Sequence, residues 1–388
     1  MSKIKVNRLE NTSTASGGID IDSSGHVKVD GLQLPTTGAL SNRNILINGD
    51  MRVAQRSTSA VTNVLEFSAN IKYDAIDRWG YWAAAASKFT VQQVADAPAG
   101  FSKSLKITSS ASTTHGATDG YAISQRVEVQ NLYGAGLGTA DAKNLVASFW
   151  VKSTSTGTFS FYAHNPDFDN IFVQNFTINA AETWEYKTIS IPGPTSGTWN
   201  SGTPNGSGLE LGFALGAGSD RQTTTLGSWH SSTWKISSTT AVNVLGVATR
   251  TLQFTGVQLE LGDKPTEFEH RSISDELARC QRYTYKLTKY AGNNAYPNVG
   301  LSSGTCTGNV SFPVTMRSTP SLDSGTTVPM TTDTWSATGS VTRNFRPGLD
   351  SNSLIFRYYS SDNSNTLLAV NYFGIRGEGI EHIFSAEL

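Results

Sequence analysis

The residues that could do chemistry are few, and their spacings mostly fail the patterns that chemistry requires. Gly300-Leu301-Ser302-Ser303-Gly304 matches GxSxG literally. That pattern works only when a strand before it and a helix after it raise the serine on a strained turn. Residues 306–314 read as turn and strand instead, so no nucleophile elbow is expected. Gly134, Gly136 and Gly138 approach a dinucleotide-binding glycine pattern but lack its last glycine, and neither a Walker loop nor HExxH occurs. Asp167, Asp169, Glu182 and Glu185 lie close in sequence. Glycoside cleavage would need two carboxylates roughly 5–10 Å apart across the scissile bond, whereas surface turns hold such residues routinely. Asp167-Phe168-Asp169-Asn170 lacks the glycine and the terminal glutamate of a calcium loop. Cys280 and Cys306 form neither a CxxC motif nor a disulfide scaffold, which leaves two buried thiols as the plain reading. The expectation is a protein that is not an enzyme.

Binding has better candidates. Residues 192–208 form a loop of Gly, Pro, Ser, Thr and Asn interrupted by a single Trp199. An aromatic ring offers a large apolar surface beside polar groups, so Trp199 is a candidate platform for the C–H face of a sugar. Trp229 and His230, in Gly227-Ser228-Trp229-His230-Ser231, form a second candidate. For both sites the alternative is a ring folded back to plug one end of a β-sandwich, because Trp is highly buried on average. Trp79, Trp150 and Trp184 lie in strand-like runs and are expected in the core.

Composition narrows the classes of function. Hydrophobic residues make up 38% of the 388 and aromatics 10%, enough to build cores, while charged residues reach only 16%. An ordinary soluble domain carries about 25% charge. Here Ser, Thr, Gly and Asn supply a polar, uncharged surface instead. Thirty basic against 31 acidic residues leave a net charge of −1, with no basic block. The counterion-release term that drives nucleic-acid binding is therefore missing. No apolar run approaches the ~20 residues that span a bilayer, and the polar start, Met1-Ser2-Lys3-Ile4-Lys5-Val6, has no secretory h-region. The expectation is synthesis in a cytoplasm, with exit inside an assembly or by lysis.

The elements that would position these residues are strands. Ile19-Asp20-Ile21-Asp22 and Val27-Lys28-Val29-Asp30 alternate apolar and polar around a Ser23-Ser24-Gly25-His26 turn, which predicts a hairpin. An isolated hairpin is marginal in water, so its apolar face must meet another chain. Residues 43–270 repeat short alternating strands with small-residue turns and no fixed internal period, as in a sandwich or jelly roll. Ile273, Leu277, Cys280, Tyr283 and Leu287 recur at helical steps, and Ser272 and Asp275 have capping-box spacing. One helix is therefore expected over 273–287, its spacing compatible with trimeric contact. Residues 291–388 return to short strands, including 310–314, 354–359 and 367–372. The predicted fold is all-β, with an N-terminal attachment segment (1–42), a jelly-roll β-sandwich (43–270), a short linking helix (271–290) and a smaller C-terminal β-domain (291–388).

Seven stretches carry a family resemblance. Asn44-Ile45-Leu46-Ile47-Asn48-Gly49-Asp50-Met51, followed by Asp77-Arg78-Trp79, resembles the opening of jelly-roll modules in phage virion proteins, which are similar to carbohydrate-binding sandwiches. Gly256-Val257-Gln258-Leu259-Glu260-Leu261-Gly262 looks like the closing strand of such a module. Phe268-Glu269-His270-Arg271-Ser272 and Ala278-Arg279-Cys280-Gln281-Arg282-Tyr283 resemble the helix that follows it in tail-fibre-like proteins. Phe312-Pro313-Val314-Thr315-Met316-Arg317-Ser318-Thr319-Pro320 resembles a unit of their C-terminal domains, and Ile4-Lys5-Val6-Asn7-Arg8-Leu9-Glu10 their attachment ends.

The resemblance implies a bacteriophage virion protein, a tail-fibre or receptor-binding subunit made in the host cytoplasm. Its implied partners are two further copies of itself, other virion proteins through the N-terminal segment, and a host-surface glycan. A capsid decoration or connector protein and a polysaccharide depolymerase tailspike are the alternatives. In calcium-bearing sandwiches of this class the ion sits between the first and last strands, which by position nominates Asp50 and Glu260. The alternative is two solvated strand-end carboxylates, because Ca²⁺ takes six to eight oxygens and only two residues are in view. No other cofactor is implied.

Overall fold

The computed structural model describes residues 8–10, 18–23, 25–35, 41–63, 71–199, 202–232, 234–288, 299–302, 305–322, 327–330, 339–347, 353–360 and 381–387. The chain divides into two compact units, Met1–Ile273 (with Leu388) and Ser274–Glu387. Among the described residues the fold is all-β but for one α-helix and a few 3₁₀ turns.

The predicted hairpin is part of a larger sheet. Strands β1 (Arg8–Glu10), β2 (Gly18–Ile21), β3 (Val27–Val29) and β4 (Leu32–Gln33) pair in sequence order. Leu9, Ile19, Val29 and Leu32 fall in one cross-strand row, while Arg8, Asp20, Lys28 and Gln33 fall in another. Alternate residues of a strand point to opposite faces, so the sheet is apolar on one side and polar on the other. Leu9 and Leu32 are 57% and 55% exposed.

The sandwich is built from β5 (Val61–Thr62), β6 (Gly80–Ala83), β7 (Phe89–Val94), β8 (Ser104–Ser109), β9 (Gly120–Glu128), β10 (Leu145–Ser153), β11 (Gly157–His164), β12 (Asn170–Ile178), β13 (Glu185–Ile191), β14 (Ser207–Ala217), β15 (Gln222–Thr223), β16 (His230–Ser231), β17 (Ser237–Ser238) and β18 (Thr251–Leu261). Among the described residues one sheet runs β13-β10-β18-β8-β7-β5 and the other β16-β12-β11-β14-β9-β6, while β15 pairs with β17. Period-two alternation decides what lies between the sheets. Leu145, Ala147, Phe149 and Val151 of β10 face Phe161 and Phe213 from the other sheet in one buried cluster. Phe149 meets Phe213 edge-on at 4.9 Å, and Phe213 stacks on Phe254 at 3.9 Å. Edge-to-face and offset rings contribute beyond their buried area.

The opening motif closes the sandwich. The Asn44 side chain donates to Val257 O, and its Oδ1 accepts from the Leu46 and Leu259 amides. Asn48 donates to Val53 O and Asp77 O, and its own carbonyl accepts the Trp79 indole N–H at 3.0 Å. A Cβ on Gly49 would lie 2.1 Å from Val257 O, so only glycine fits there. Trp79 is in the core as predicted. Trp150 and Trp184 are not: both are half-buried on the outside of the first sheet. Trp150 follows Phe149, and neighbours in a strand cannot share a face.

The second unit starts with helix α1 (Ile273–Gln281), which is shorter than its periodicity predicted. Residues 284–288 form strand β19 (Thr284–Thr288), paired along its length with Glu381–Ser385. Thr284-Tyr285-Lys286-Leu287-Thr288 alternates and is rich in β-formers, so pairing with that strand overrides the helical spacing of Leu287. The buried helix residues are Glu276 and Cys280, whereas Ile273 is exposed. Cys280 is a free thiol, as expected, and Cys306 lies on the strand Thr305–Ser311. The GxSxG serine, Ser302, ends the strand Val299–Ser302 and pairs with Thr305 of the next, antiparallel strand. That is a hairpin, without the helix an elbow needs. Residues 367–372 lie outside the described residues.

Candidate functional site

The loop nominated for sugar binding turns inward. Trp199 is 7% exposed and belongs to the main core cluster. Its indole donates to Ser196 O at 2.9 Å, and it meets Trp229 edge-on at 4.9 Å. A Cβ on Gly138 would lie 2.7 Å from the Trp199 ring, so the backbone is pressed against it. Asn165 and Asn170 pin the loop by donating to Thr198 O and Ser196 O. Trp229 packs on Phe172 at 5.5 Å and donates to Pro192 O, and His230 lies on β16 opposite Ile171. The structure does bring Trp199, Trp229 and His230 together, but Trp199 plugs the sandwich end. Its indole N–H finds a carbonyl within its own loop, so burial leaves no polar atom of the ring unpaired.

Asp50 and Glu260 have different partners. Both Glu260 oxygens are taken: Oε1 accepts from the Thr266 amide (2.7 Å) and Gln258 Nε2 (2.9 Å), and Oε2 from the Thr266 hydroxyl (2.8 Å). This carboxylate pins Thr266 onto β18 and faces Arg43 Nε at 3.9 Å. Among the described residues no group of three or more acidic, histidine or cysteine side chains could hold a metal.

Asp50 has a different setting. It sits in a tight turn between Asn48 and Met51, both with left-handed backbone (φ +58° and +60°). A non-glycine residue held there costs of order 1–3 kcal/mol and often marks a functional turn. Asp50 Oδ2 is paired with Arg52 Nε. Asp50 Oδ1 is buried and has no hydrogen-bond partner. The residue lines a cleft of about 300 Å³ together with Arg52, Gly100, Phe101, Ser102 and His270. Arg52 Nη2 donates to Arg271 O at 2.7 Å, which fixes the guanidinium at the wall. The Phe101 ring lies 5.2 Å from His270 and 5.1 Å from Phe268. A carboxylate accepts, a guanidinium donates, and an aromatic ring presents an apolar face. These three together fit a small polyhydroxylated ring with one hydrophobic side. A buried acceptor left unpaired costs about 1–3 kcal/mol, which a hydroxyl donor would recover.

The outside of the second sheet, by contrast, is sealed. Arg126, Glu210 and His164 form one cross-strand row over β9, β14 and β11. Glu210 accepts from the Trp82 indole (2.6 Å), the Tyr162 hydroxyl (3.1 Å) and Arg126 Nε (3.0 Å), with His164 Nε2 at 3.6 Å. Burial alone would raise its carboxyl pKa, but His164, Arg126 and the Trp82 donor hold it well below the usual carboxylate range. Trp82, Tyr162, Ile171, Val173 and Ile236 form a second buried cluster there, with Phe168 and Trp234 packed against it.

Sequence reasoning missed Arg52, Phe101 and His270 as site residues. Arg52 stands two residues from Asp50, but the left-handed turn between them is not legible from the spacing. Phe101 and His270 lie 169 positions apart, and nothing local predicts that they stack.

No protein-family model matches the chain, and no curated protein matches its sequence. Among solved structures, it is similar to the enzymatically active domain of tailspike protein 4 from bacteriophage CBA120, at 13% identity and a TM-score of 0.31 over 56% of this chain and 21% of that one. The chain thus spans about a fifth of that tailspike chain. It is similar to a CBM4 structure at 14% identity and TM-score 0.29, covering 55% of this chain and 98% of that one. It is also similar to a family 11 carbohydrate-binding module from Clostridium thermocellum in complex with a mixed-linked tetrasaccharide, at 14% identity and TM-score 0.25, covering 55% and 100% respectively.

Proposed function

We propose that the chain is a non-catalytic, glycan-binding subunit of a bacteriophage appendage, which grips a host-surface saccharide in the cleft at Asp50, Arg52, Phe101 and His270. One observation carries the binding reading. A buried carboxylate keeps one oxygen without a protein partner at the wall of a cleft that also presents an aromatic ring and a guanidinium. The appendage reading is supported by the low-charge surface and by the resemblance of the opening and closing motifs. The test of binding is attachment of labelled protein to host cells. Asp50→Asn and His270→Ala should each weaken attachment by about tenfold, roughly 1.4 kcal/mol, without a change in melting temperature. Attachment equal to wild type in both variants would end the cleft reading.

The N-terminal sheet supports assembly with further copies of the same chain. An apolar face with leucines more than half exposed is covered most simply by an identical face under closed symmetry, and three copies are proposed. Light scattering should give three times the chain mass, and Leu9→Lys with Leu32→Lys should reduce it to one. A single-chain mass for wild type at micromolar concentration would refute this assembly. Electron micrographs of particles labelled with antibody to the chain test the appendage itself.

A further inference from the structure

The outside of the first sheet carries aromatic rings that the cleft does not use. Trp150 on β10 and Tyr186 on β13 are directly opposed in the ladder, with ring centroids 5.5 Å apart. Tyr186 is 44% exposed and Trp150 half-buried, on the side away from the core. On the other flank of Trp150 stands Gly256 of β18, at the register shift between β10 and β18. Gly256 has φ +60°. A Cβ there would lie 2.6 Å from Phe101 Cζ and 3.2 Å from Trp150 Cδ1, so the two rings flank this one glycine. A left-handed glycine at a bulge sharpens the local twist and re-aims neighbouring side chains. Phe101 and Trp150 thus flank one glycine at the bulge, and the Phe101 ring meets His270 at 5.2 Å, tilted by 41°, at the cleft. The rings form one row: Tyr186, Trp150, Phe101, His270. Strands lie about 4.8 Å apart, so a row that crosses β13, β10 and β18 and reaches the adjoining loop is longer than one sugar ring.

The charges beside the row are largely internally paired. Lys152, two residues along β10 from Trp150, is bonded to Asp96 and lies 5.4 Å over the Trp184 ring. Arg52 is bonded to Asp50, and Arg271 to Glu269 at 3.1 Å. Each of these three cations already has a carboxylate partner.

We infer that this face binds an extended, neutral polysaccharide chain, whose successive rings stack on Tyr186, Trp150 and Phe101 and whose end or branch enters the Asp50 cleft. The inference rests on the cleft being a saccharide site and adds to it the length and charge class of the ligand. Each aromatic face takes the apolar side of one sugar, so affinity must grow with chain length until the row is covered.

The test titrates the full chain with size ladders of neutral glucan, mannan, galactan and rhamnan oligosaccharides, from monosaccharide to octasaccharide, with polysialic acid as the anionic counterpart. In at least one neutral ladder, affinity is expected to rise about tenfold or more between the monosaccharide and the tetrasaccharide, with quenching of tryptophan fluorescence. Tyr186→Ala should remove that rise while leaving monosaccharide affinity intact, and Tyr186→Phe, which keeps the ring, should restore it. Affinity independent of length, an unchanged rise in Tyr186→Ala, tighter binding of polysialic acid, or no binding to any neutral ladder would each overturn the inference. The first two leave the cleft reading standing. Monosaccharide affinity untouched by Asp50→Asn removes that reading instead.

Discussion

The two outer faces of the sandwich began from the same ingredients and ended differently. Both carry a tryptophan that alternation points away from the core, Trp82 on β6 and Trp150 on β10, with charged groups close by. Over the second sheet, residues 71–73, Phe168, Trp234 and Ile236 cover the face, and Glu210 is buried beneath them with its hydrogen-bond acceptors engaged. Over the first sheet, the cover made by residues 264–270 reaches β18 through Gln258 and Glu260, leaving Trp150 and Tyr186 partly in solvent. A charge under a lid must be matched group by group, because an unpaired buried ion costs several kcal/mol. A ring left half in water has no such demand and is available to a ligand. The difference separates a sealed structural face from the face proposed to bind.

Substitutions can break this contrast, the largest expected effect first. Glu210→Ala strands Arg126 and the Trp82 donor under the lid, and breaking a buried pair costs about 3–5 kcal/mol, measured by urea unfolding. Because the folded carboxyl is held low, its stabilisation is full above the unfolded value near ~4.3 and is lost as pH falls below it. Wild type should therefore lose more stability than Glu210→Gln between neutral and acid pH, and equal losses would refute the assignment. Trp199→Ala removes a buried ring and should also cost roughly 3–5 kcal/mol, seen as a large drop in melting temperature. An unchanged melting temperature would return Trp199 to the surface role the sequence suggested.

Gly256→Ala tests the bulge, with strain at φ +60° and a methyl pressed on Phe101. The expected loss is about 1–3 kcal/mol, together with weakened attachment to cells. Tyr186→Ala is the smallest change in stability, within about 0.5 kcal/mol for a surface site, and calorimetry should find the fold intact. If Tyr186→Ala destabilised as much as Glu210→Ala, the two faces would not differ in kind.

Much of the fold was legible in the sequence because strand periodicity is local. Alternation in 89–92, 105–108 and 145–152 marks strands whose apolar members do line the core. The same rule, applied strictly, places Trp150 outside once Phe149 is inside; the strand-like run alone misled. The helix over-extended because Leu287 keeps helical spacing, while the pairing partner that claims it lies almost a hundred residues downstream. Trp199 and Trp229 were two separate candidates in the sequence; that their rings meet, and which way each faces, depends on the void beneath them.

The sequence by itself determined the class of molecule: all-β and low in charge. These follow from residue type and short-range spacing, which the chain carries in one dimension. The tertiary structure decided that Glu260 clamps a covering segment while Asp50 keeps a buried oxygen without a hydrogen-bond partner, and that Phe101 reaches both Trp150 and His270. Those outcomes depend on which surfaces a distant segment covers, and burial, which sets the cost of every polar group and the freedom of every ring, exists only once the sheets have closed on each other.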